Sequence, residues 1–327
     1  MSTYQALWVT ETPYFQQKVI ERSLDDLPAG EVLIRVRYSS LNYKDALSAN
    51  GNRGVTRQFP HTPGIDAAGV VEHSSNPEFV VGDEVIVTGY DLGMNTFGGL
   101  AQYIRVPAAW VIKRPAGLSL RESMILGTAG LTAALCVDKL LCAGLTAEAG
   151  PVLVTGATGG VGSVAVVLLK QLGFEVTAAT GKAEQADFLR QLGAHTVISR
   201  AELSAGIDKA LLKPQWAAVV DTVGGDILFN AVKALQYGSS AVCCGLTAGV
   251  DFKASVLPFI LRGVNLLGVD SVELPLVNKA SMWDTLSLQW KMDLEKLVKE
   301  ISLKYVPNAI ATMFASQQTG RTLVRID

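Results

Sequence analysis

The chain has 327 residues, of which 49% are hydrophobic and 18% are charged, and its formal net charge at pH 7 is −2. This length predicts two domains, because a single hydrophobic core stops growing at roughly 250 to 300 residues. The nearly balanced charge argues against binding to nucleic acid or to an anionic membrane, and we find no apolar run of the roughly 20 residues that a membrane span needs. The N-terminal segment lacks the features of a signal peptide, so a cytoplasmic location is expected.

The first 115 or so residues are rich in predicted β-strands. Residues 31–38 alternate apolar and charged side chains, which is typical of a half-buried strand. Clusters of glycine, proline, asparagine and aspartate separate further short strands, which we place at residues 69–72, 84–88 and 101–106. This pattern predicts a small, partly open barrel.

The pattern then changes to long apolar segments. Residues 119–141 are expected to form two helices broken near residues 127–130, with Ser119 and Glu122 as a capping box. Six strands follow, with helices predicted between several of them, at residues 152–155, 174–180, 196–199, 216–221, 240–244 and 264–269. That number completes a dinucleotide-binding fold. A helix over residues 283–301 and a last strand over residues 322–326 complete the prediction.

The most informative segment is VLVTGATGGVGSVAVVLLKQLG, residues 152–173. A strand leads through a glycine turn into a helix, and the helix directs its free N–H groups and its positive dipole end at the turn. This order of elements predicts a pyrophosphate site. The backbone donors would come from Thr158, Gly159, Gly160 and Val161. The alternative is a tight turn that binds no ligand.

The second predicted strand indicates which nicotinamide cofactor is bound. It ends in Thr180, Gly181 and Lys182, where proteins that prefer NAD usually carry an acidic residue for the ribose 2′-hydroxyl. Lys182 and Arg200 offer positive charge to a 2′-phosphate, so NADPH is the predicted cofactor. The alternative is that both are solvated surface charges.

Six further stretches carry a family resemblance: SSLNYKDAL (39–47), PGIDAAG (63–69), GTAGLTAAL (127–135), DTVGG (221–225), GVDS (268–271) and GRTLV (320–324). Together with the late glycine turn, they make the whole chain resemble the medium-chain dehydrogenase/reductase superfamily, in its zinc-free acrylyl-CoA reductase branch grouped with quinone oxidoreductases. The resemblance implies an α/β fold with a Rossmann doubly wound parallel sheet in residues 123–269. A β-rich, GroES-like, partly open barrel would comprise residues 1–122 together with 270–327.

The departures from zinc-dependent relatives have a chemical meaning. The Gly-His-Glu segment of those enzymes corresponds here to Gly64, Ile65 and Asp66, and no cysteine stands near Asn42. The four cysteines, Cys136, Cys142, Cys243 and Cys244, lie in apolar segments, so no metal is expected. Without a Lewis acid, an alkene conjugated to a thioester is an easier hydride acceptor than a simple carbonyl.

The resemblance also assigns roles near the reacting centre. It implies that Tyr43 packs near the nicotinamide and that Asn42 and Asp66 are catalytic. A buried Asp66 would orient the Asn42 amide, which would hold the thioester oxygen. The proton for the α-carbon would come from Tyr43 or from water. The plainer alternatives are a turn at Asn42 and Tyr43 and a turn-capping carboxylate at Asp66; Asp45 is better interpreted as a helix-capping acid, and His61 as a structural residue.

Further contacts follow from the same resemblance. Thr128, Leu246 and Ser271 are expected near the cofactor, and Arg53 and Arg57 are candidates for CoA phosphates or ordinary surface arginines. The implied reaction is NADPH-dependent reduction of acrylyl-CoA or a similar short enoyl-CoA. An NADPH:quinone oxidoreductase and a non-catalytic NADPH-binding protein remain as alternatives. A homodimer through residues 264–269 is expected, because relatives often pair through this strand.

Overall fold

The computed structural model describes residues 2–326 and divides into two compact units. One unit runs to Thr128 and resumes at Ser271, and the other is Ala129–Asp270. The predicted boundaries lay after residue 122 and before residue 270. The first boundary lies next to Gly127 in α2 (Leu120–Cys142), whose φ of 52° and ψ of −157° are not helical.

The chain enters the first unit through short strands, as predicted. In the strand that begins at Val32, Val32, Ile34 and Val36 are buried while Arg35 and Arg37 are exposed, which confirms the alternation. The elements up to the boundary are β1 (Thr3–Thr10), β2 (Gln16–Ser23), β3 (Val32–Leu41), α1 (Tyr43–Ala49), β4 (Asp66–Ser74), β5 (Glu84–Thr88), β6 (Tyr103–Val106), β7 (Val111–Lys113) and α2 (Leu120–Cys142), which crosses the boundary.

The second unit alternates strands and helices around one parallel sheet. After α2 its elements are β8 (Val152–Val154), α3 (Gly160–Gln171), β9 (Val176–Thr180), α4 (Ala186–Leu192), β10 (Thr196–Ser199), α5 (Arg200–Leu203), β11 (Trp216–Asp221), α6 (Gly225–Lys233), β12 (Leu235–Cys243), α7 (Leu257–Arg262) and β13 (Asn265–Gly268). The strand order β10-β9-β8-β11-β12-β13 is that of a doubly wound dinucleotide fold. The predicted six strands are confirmed.

The chain then returns to the first unit through α8 (Leu276–Ser287), β14 (Val298–Ser302), α9 (Val306–Phe314) and β15 (Arg321–Arg325). The predicted helix over residues 283–301 is wrong, because α8 ends at Ser287 and β14 occupies the end of that range. Between them, Trp290, Met292 and Leu294 are buried while the residues in between are exposed. The apolar spacing there has a period of two, which is the period of an extended chain.

The large sheet of the first unit runs in the order β14-β15-β3-β4-β5-β7, with β6 also paired to β3. Its inner face builds an apolar core with α1 and α9 that includes Leu41, Ala46, Val306 and Ile310. β15 lies antiparallel to β3, with Leu323 opposite Ser40. This pairing places Arg321 beside the residues that follow β3.

From the sequence we expected no apolar run of the roughly 20 residues that a membrane span needs, and helix α2 corrects this expectation. Its 23 residues are long and apolar enough to cross a membrane by length and composition. However, 67% of its most apolar window is buried inside the structure. Burial of this kind is typical of the core helix of a soluble protein.

Candidate functional site

A buried carboxylate lies at the centre of the first unit's polar cluster. Asp66 is the first residue of β4, and its side chain is fully buried. Its Oδ2 accepts hydrogen bonds from Ser40 Oγ at 2.6 Å, Asn42 Nδ2 at 2.7 Å and Thr128 N at 2.9 Å, and its Oδ1 accepts one from Thr128 Oγ1 at 2.5 Å. These donors satisfy the carboxylate without a metal ion.

Asn42 lies between β3 and α1 and is the N-cap residue of that helix. Its Nδ2 donates to Asp66 Oδ2 and, at 3.2 Å, to Ser40 O, while its Oδ1 accepts a bond from Arg321 Nη1 at 3.3 Å. The structure therefore contains the predicted bond from Asn42 to Asp66. It also engages both amide hydrogens, so Asn42 would donate to a thioester oxygen only by giving up one of these bonds.

Arg321 is a fully buried cation that the sequence reasoning did not single out. Its Nε donates to Ile125 O at 2.8 Å, and its Nη2 has no hydrogen-bond partner among residues 2–326. Burial lowers the pKa of Arg321, against the opposing effect of the negative charges of Asp66 and Asp45. The GRTLV stretch contained this residue, but nothing local indicated that it contacts Asn42.

Gly127 closes the cluster from the side of α2. A Cβ added there would lie 2.3 Å from Ser40 Oγ and 2.5 Å from Asp66 Oδ2. Its φ of 52° also lies in the left-handed region that favours glycine. The kink in α2 thus lets the backbone approach Asp66 closely enough for Thr128 N to donate to it.

Asp45 is a second buried carboxylate, on the first turn of α1. Its Oδ2 accepts a bond from Asn42 N at 2.7 Å and its Oδ1 accepts one from Ile65 N at 2.9 Å, so the predicted capping role is confirmed. Burial raises the pKa of Asp45 to about 7, and the charge of Asp66 adds to this, against the opposing hydrogen bonds.

Asp45 is expected to make the protein less stable as pH rises from 5 to 8. The pKa of about 7 in the folded state lies above the ordinary value of 3.8, so at pH 5 the folded state holds a proton that the unfolded state has lost, and this difference disappears as pH rises through 7. The free energy of unfolding should therefore fall by on the order of 2 kcal/mol because of this group.

Urea unfolding of the wild type and the Asp45→Asn variant at pH 5 and pH 8 measures this contribution. The variant loses the titrating group, so its deficit relative to the wild type should be larger at pH 5 than at pH 8. An equal deficit at both pH values would contradict the expectation.

The other predicted residues of the first unit have distinct surroundings. Tyr43 is the first residue of α1 and is 41% exposed, and its ring stacks on that of Phe314. Ser271 is buried. His61 is buried against aromatic rings, and burial lowers its pKa, which agrees with a structural role. Arg53 pairs with Glu11, so the surface-arginine interpretation describes it better than binding to CoA phosphates.

The glycine turn of the second unit has the shape of a phosphate cradle. Gly156 has a φ of 57°, and a Cβ on Gly162 would lie 2.4 Å from Gly156 O. Gly159 is the N-cap residue of α3, so the predicted donors Thr158, Gly159, Gly160 and Val161 surround the helix start. This cradle fits a dinucleotide pyrophosphate.

Asp221, at the end of β11, ties this turn to the neighbouring strand. Its Oδ2 accepts a bond from Thr155 Oγ1 at 2.7 Å, and its Oδ1 accepts one from Gly224 N at 2.7 Å. Thr222 Oγ1 adds a bond to Thr155 O at 2.8 Å. The DTVGG stretch therefore fixes the entrance of the glycine turn, a role that the sequence reasoning did not assign.

The residues predicted to select NADPH lie together at the ends of β9 and β10. Ser199 pairs with Thr180 in the parallel sheet, which brings Arg200 beside Gly181, where an added Cβ would lie 3.0 Å from Arg200 Nη2. Lys182 N donates to Thr180 Oγ1 at 3.0 Å, and burial lowers the pKa of Lys182. The cluster offers two cations and a hydroxyl to a phosphate. Leu246, also predicted near the cofactor, is exposed beyond β12.

Zinc does not fit the donor set at the centre of the first unit. Ile65 supplies no ligand atom, and the oxygens of Asp66 already accept four hydrogen bonds. Among residues 2–326 no group of three or more histidine, cysteine, aspartate or glutamate side chains is placed to hold a metal ion.

Comparison with known proteins assigns both units. Residues 28–116 match the alcohol dehydrogenase GroES-like domain family, and residues 160–287 match the zinc-binding dehydrogenase family. The chain is 47% identical over 306 residues to the putative quinone oxidoreductase YhfP of Bacillus subtilis, covering 93% of both chains. It is 44% identical over 313 residues to the acrylyl-CoA reductase AcuI of Ruegeria pomeroyi, covering 95% of both.

Solved structures agree over nearly the whole chain. The yhdH oxidoreductase of Salmonella enterica, in complex with NADP, superposes with a TM-score of 0.96 at 42% identity, covering 99% of this chain and 100% of that one. The Bacillus subtilis protein yhfP, with NAD bound, gives a TM-score of 0.96 at 46% identity, with the same coverage. The predicted α/β fold, with its doubly wound and GroES-like parts, is confirmed.

Proposed function

We propose that this chain, which belongs to the medium-chain dehydrogenase/reductase family, reduces the carbon–carbon double bond of acrylyl-CoA or a similar short enoyl-CoA. Within that family it belongs to the branch that holds the acrylyl-CoA reductases and their quinone oxidoreductase-like relatives. The protein is an NADPH-dependent oxidoreductase, and the reduction uses no zinc. The observation that supports the choice of an acrylyl-CoA-like substrate is the 44% identity to AcuI over 95% of both chains.

The chemistry requires a hydride donor and a site that tolerates enolate charge. NADPH supplies the hydride to the β-carbon, and negative charge then develops on the thioester oxygen. Asn42 Nδ2 gives up its longer hydrogen bond, at 3.2 Å to Ser40 O, and forms a hydrogen bond to the thioester oxygen instead. Its second hydrogen bond, to Asp66 Oδ2, stays in place and fixes the orientation of the amide. The α-carbon takes its proton from Tyr43, whose side chain is exposed, or from water.

The cofactor lies along the second unit in this proposal. Backbone N–H groups of residues 158–161 bind the pyrophosphate, and Thr180, Gly181, Lys182 and Arg200 surround the 2′-phosphate. The proposed contacts of the nicotinamide end are Tyr43, Thr128, Leu246 and Ser271.

Quinone reduction is the second candidate, favoured by the 47% identity to a putative quinone oxidoreductase. Oxidation of NADPH followed side by side with acrylyl-CoA, crotonyl-CoA and a small quinone separates the candidates. The proposal expects the highest kcat/KM with acrylyl-CoA. A higher kcat/KM with the quinone would overturn it, and no oxidation with any substrate would favour a non-catalytic NADPH-binding protein.

We also propose a cytoplasmic homodimer joined through β13. This strand forms one edge of the parallel sheet, and Val256, Ile260 and Leu261 nearby in the chain are exposed. An open strand edge with exposed apolar side chains favours pairing with a second copy. Sedimentation equilibrium tests the dimer, and a monomer at micromolar concentration would contradict it.

A further inference from the structure

Two half-exposed aromatic rings stack on each other in the first unit. The ring centroids of Tyr43 and Phe314 lie 6.5 Å apart with an angle of 17° between the planes. Tyr43 is 41% exposed and Phe314 is 49% exposed, so the pair leaves a large part of its aromatic surface open. Aromatic rings that stay exposed to solvent leave apolar surface unburied, and a ligand that binds against them buries this surface.

The chain holds the two rings in fixed positions. Tyr43 directly follows Asn42, whose backbone N–H is bound to Asp45, so α1 begins at a defined place beside the Asp66 cluster. Phe314 is the last residue of α9, which Val306 and Ile310 anchor in the core.

The end of α9 is also well defined. Ser316 has a left-handed φ of 57°, its N–H donates to Met313 O at 2.9 Å, and the N–H of Gln317 donates to Thr312 O at 3.0 Å. This arrangement closes the helix directly after Phe314. A non-glycine residue held in this conformation costs free energy, and such residues cluster at functional sites.

We propose that Phe314, together with Tyr43, forms the wall that receives the acyl group of the substrate and limits its length. The inference rests on the proposed reduction of a short enoyl thioester, whose conjugated C=C–C=O group is flat and suits an aromatic face. The pair adjoins Asn42 through the chain, so an acyl group on Tyr43 has its thioester within the same cluster. A longer acyl chain lying on Tyr43 would extend toward the Phe314 ring that stacks beside it.

The test compares kcat/KM for crotonyl-CoA and acrylyl-CoA in the wild type, Phe314→Ala and Phe314→Leu. Phe314→Ala should raise the ratio of crotonyl-CoA to acrylyl-CoA about 10-fold, the order of magnitude that one methyl group contributes in an apolar pocket. Phe314→Leu keeps apolar bulk and should change the ratio less. The dissociation constant for NADPH and the thermal midpoint should stay close to those of the wild type, because the side chain is half-exposed.

Tyr305→Ala is the matched control. Tyr305 is 50% exposed and stands directly before α9, and its ring faces Lys304 Nζ at 4.8 Å. This variant removes a similar exposed ring from just before the start of α9 and should leave the ratio unchanged. An unchanged ratio in Phe314→Ala, or an equal change in Tyr305→Ala, would overturn the inference. A wild type that reduces neither thioester would overturn the proposed function and this inference together.

Discussion

The Asp66→Asn variant is expected to lose at least about 100-fold in turnover and roughly 3 to 5 kcal/mol in free energy of unfolding. The amide would present N–H groups to donors that now bond to a carboxylate: Ser40, Asn42 and Thr128. It would also remove a negative charge that favours the buried guanidinium of Arg321. Turnover and urea unfolding of the purified variant measure both effects.

Two further variants separate charge balance from catalysis. Adding Arg321→Met to Asp66→Asn should recover part of the stability, because the unpaired buried cation is gone, while turnover should stay low. Asp83→Asn is the control: Asp83 pairs with Lys113 near the surface, so its loss should leave turnover unchanged and should cost far less stability than Asp66→Asn. Wild-type turnover in Asp66→Asn, or strictly additive stability losses in the double variant, would contradict the expectation.

Replacing Lys182 or Arg200 by alanine is expected to weaken NADPH binding about 10- to 100-fold, with little change for NADH. A hydrogen bond between charged groups contributes roughly 1.5 to 3 kcal/mol, and only NADPH carries the 2′-phosphate. Fluorescence titration of both cofactors against each variant gives the two dissociation constants.

Lys213→Ala serves as the control for a general loss of positive charge. Lys213 is exposed and precedes β11, so it lies at the opposite end of the parallel strands from residues that follow β9 and β10. Its loss should leave both dissociation constants unchanged. An equal loss of NADH affinity in the Lys182 and Arg200 variants would contradict the assignment, as would similar affinities of the wild-type protein for the two cofactors.

The second unit was easier to predict from sequence than the first because its signals are local. The glycine turn and the apolar strands of β8, β9 and β11 each lie within a short segment whose pattern reflects its own burial. The hairpin of β1 and β2 was not predicted, since β2 has no buried residue and carries no apolar alternation. The prediction of a helix after α8 was wrong because the buried residues of that segment recur every second position, as in an extended chain.

The site of the first unit shows the same division between local and distant signals. The bond from Asn42 to Asp66 was predicted, since two motifs of the resembled family carry these residues. The contact of Arg321 with Asn42 was not predicted, because the two residues are 279 positions apart in the chain and meet only through the pairing of β15 with β3. A single sequence contains no signal for a contact of that kind.

The pairing of β3 with β15 also dictates an order of assembly during synthesis. The ribosome completes the second unit, Ala129–Asp270, before it adds Arg321 and the strand that carries it. The second unit is therefore able to fold while β3 and Asn42, made much earlier, still lack their partner. The bond from Arg321 to Asn42 therefore cannot form until β15 has been synthesised, which is after the whole of the second unit.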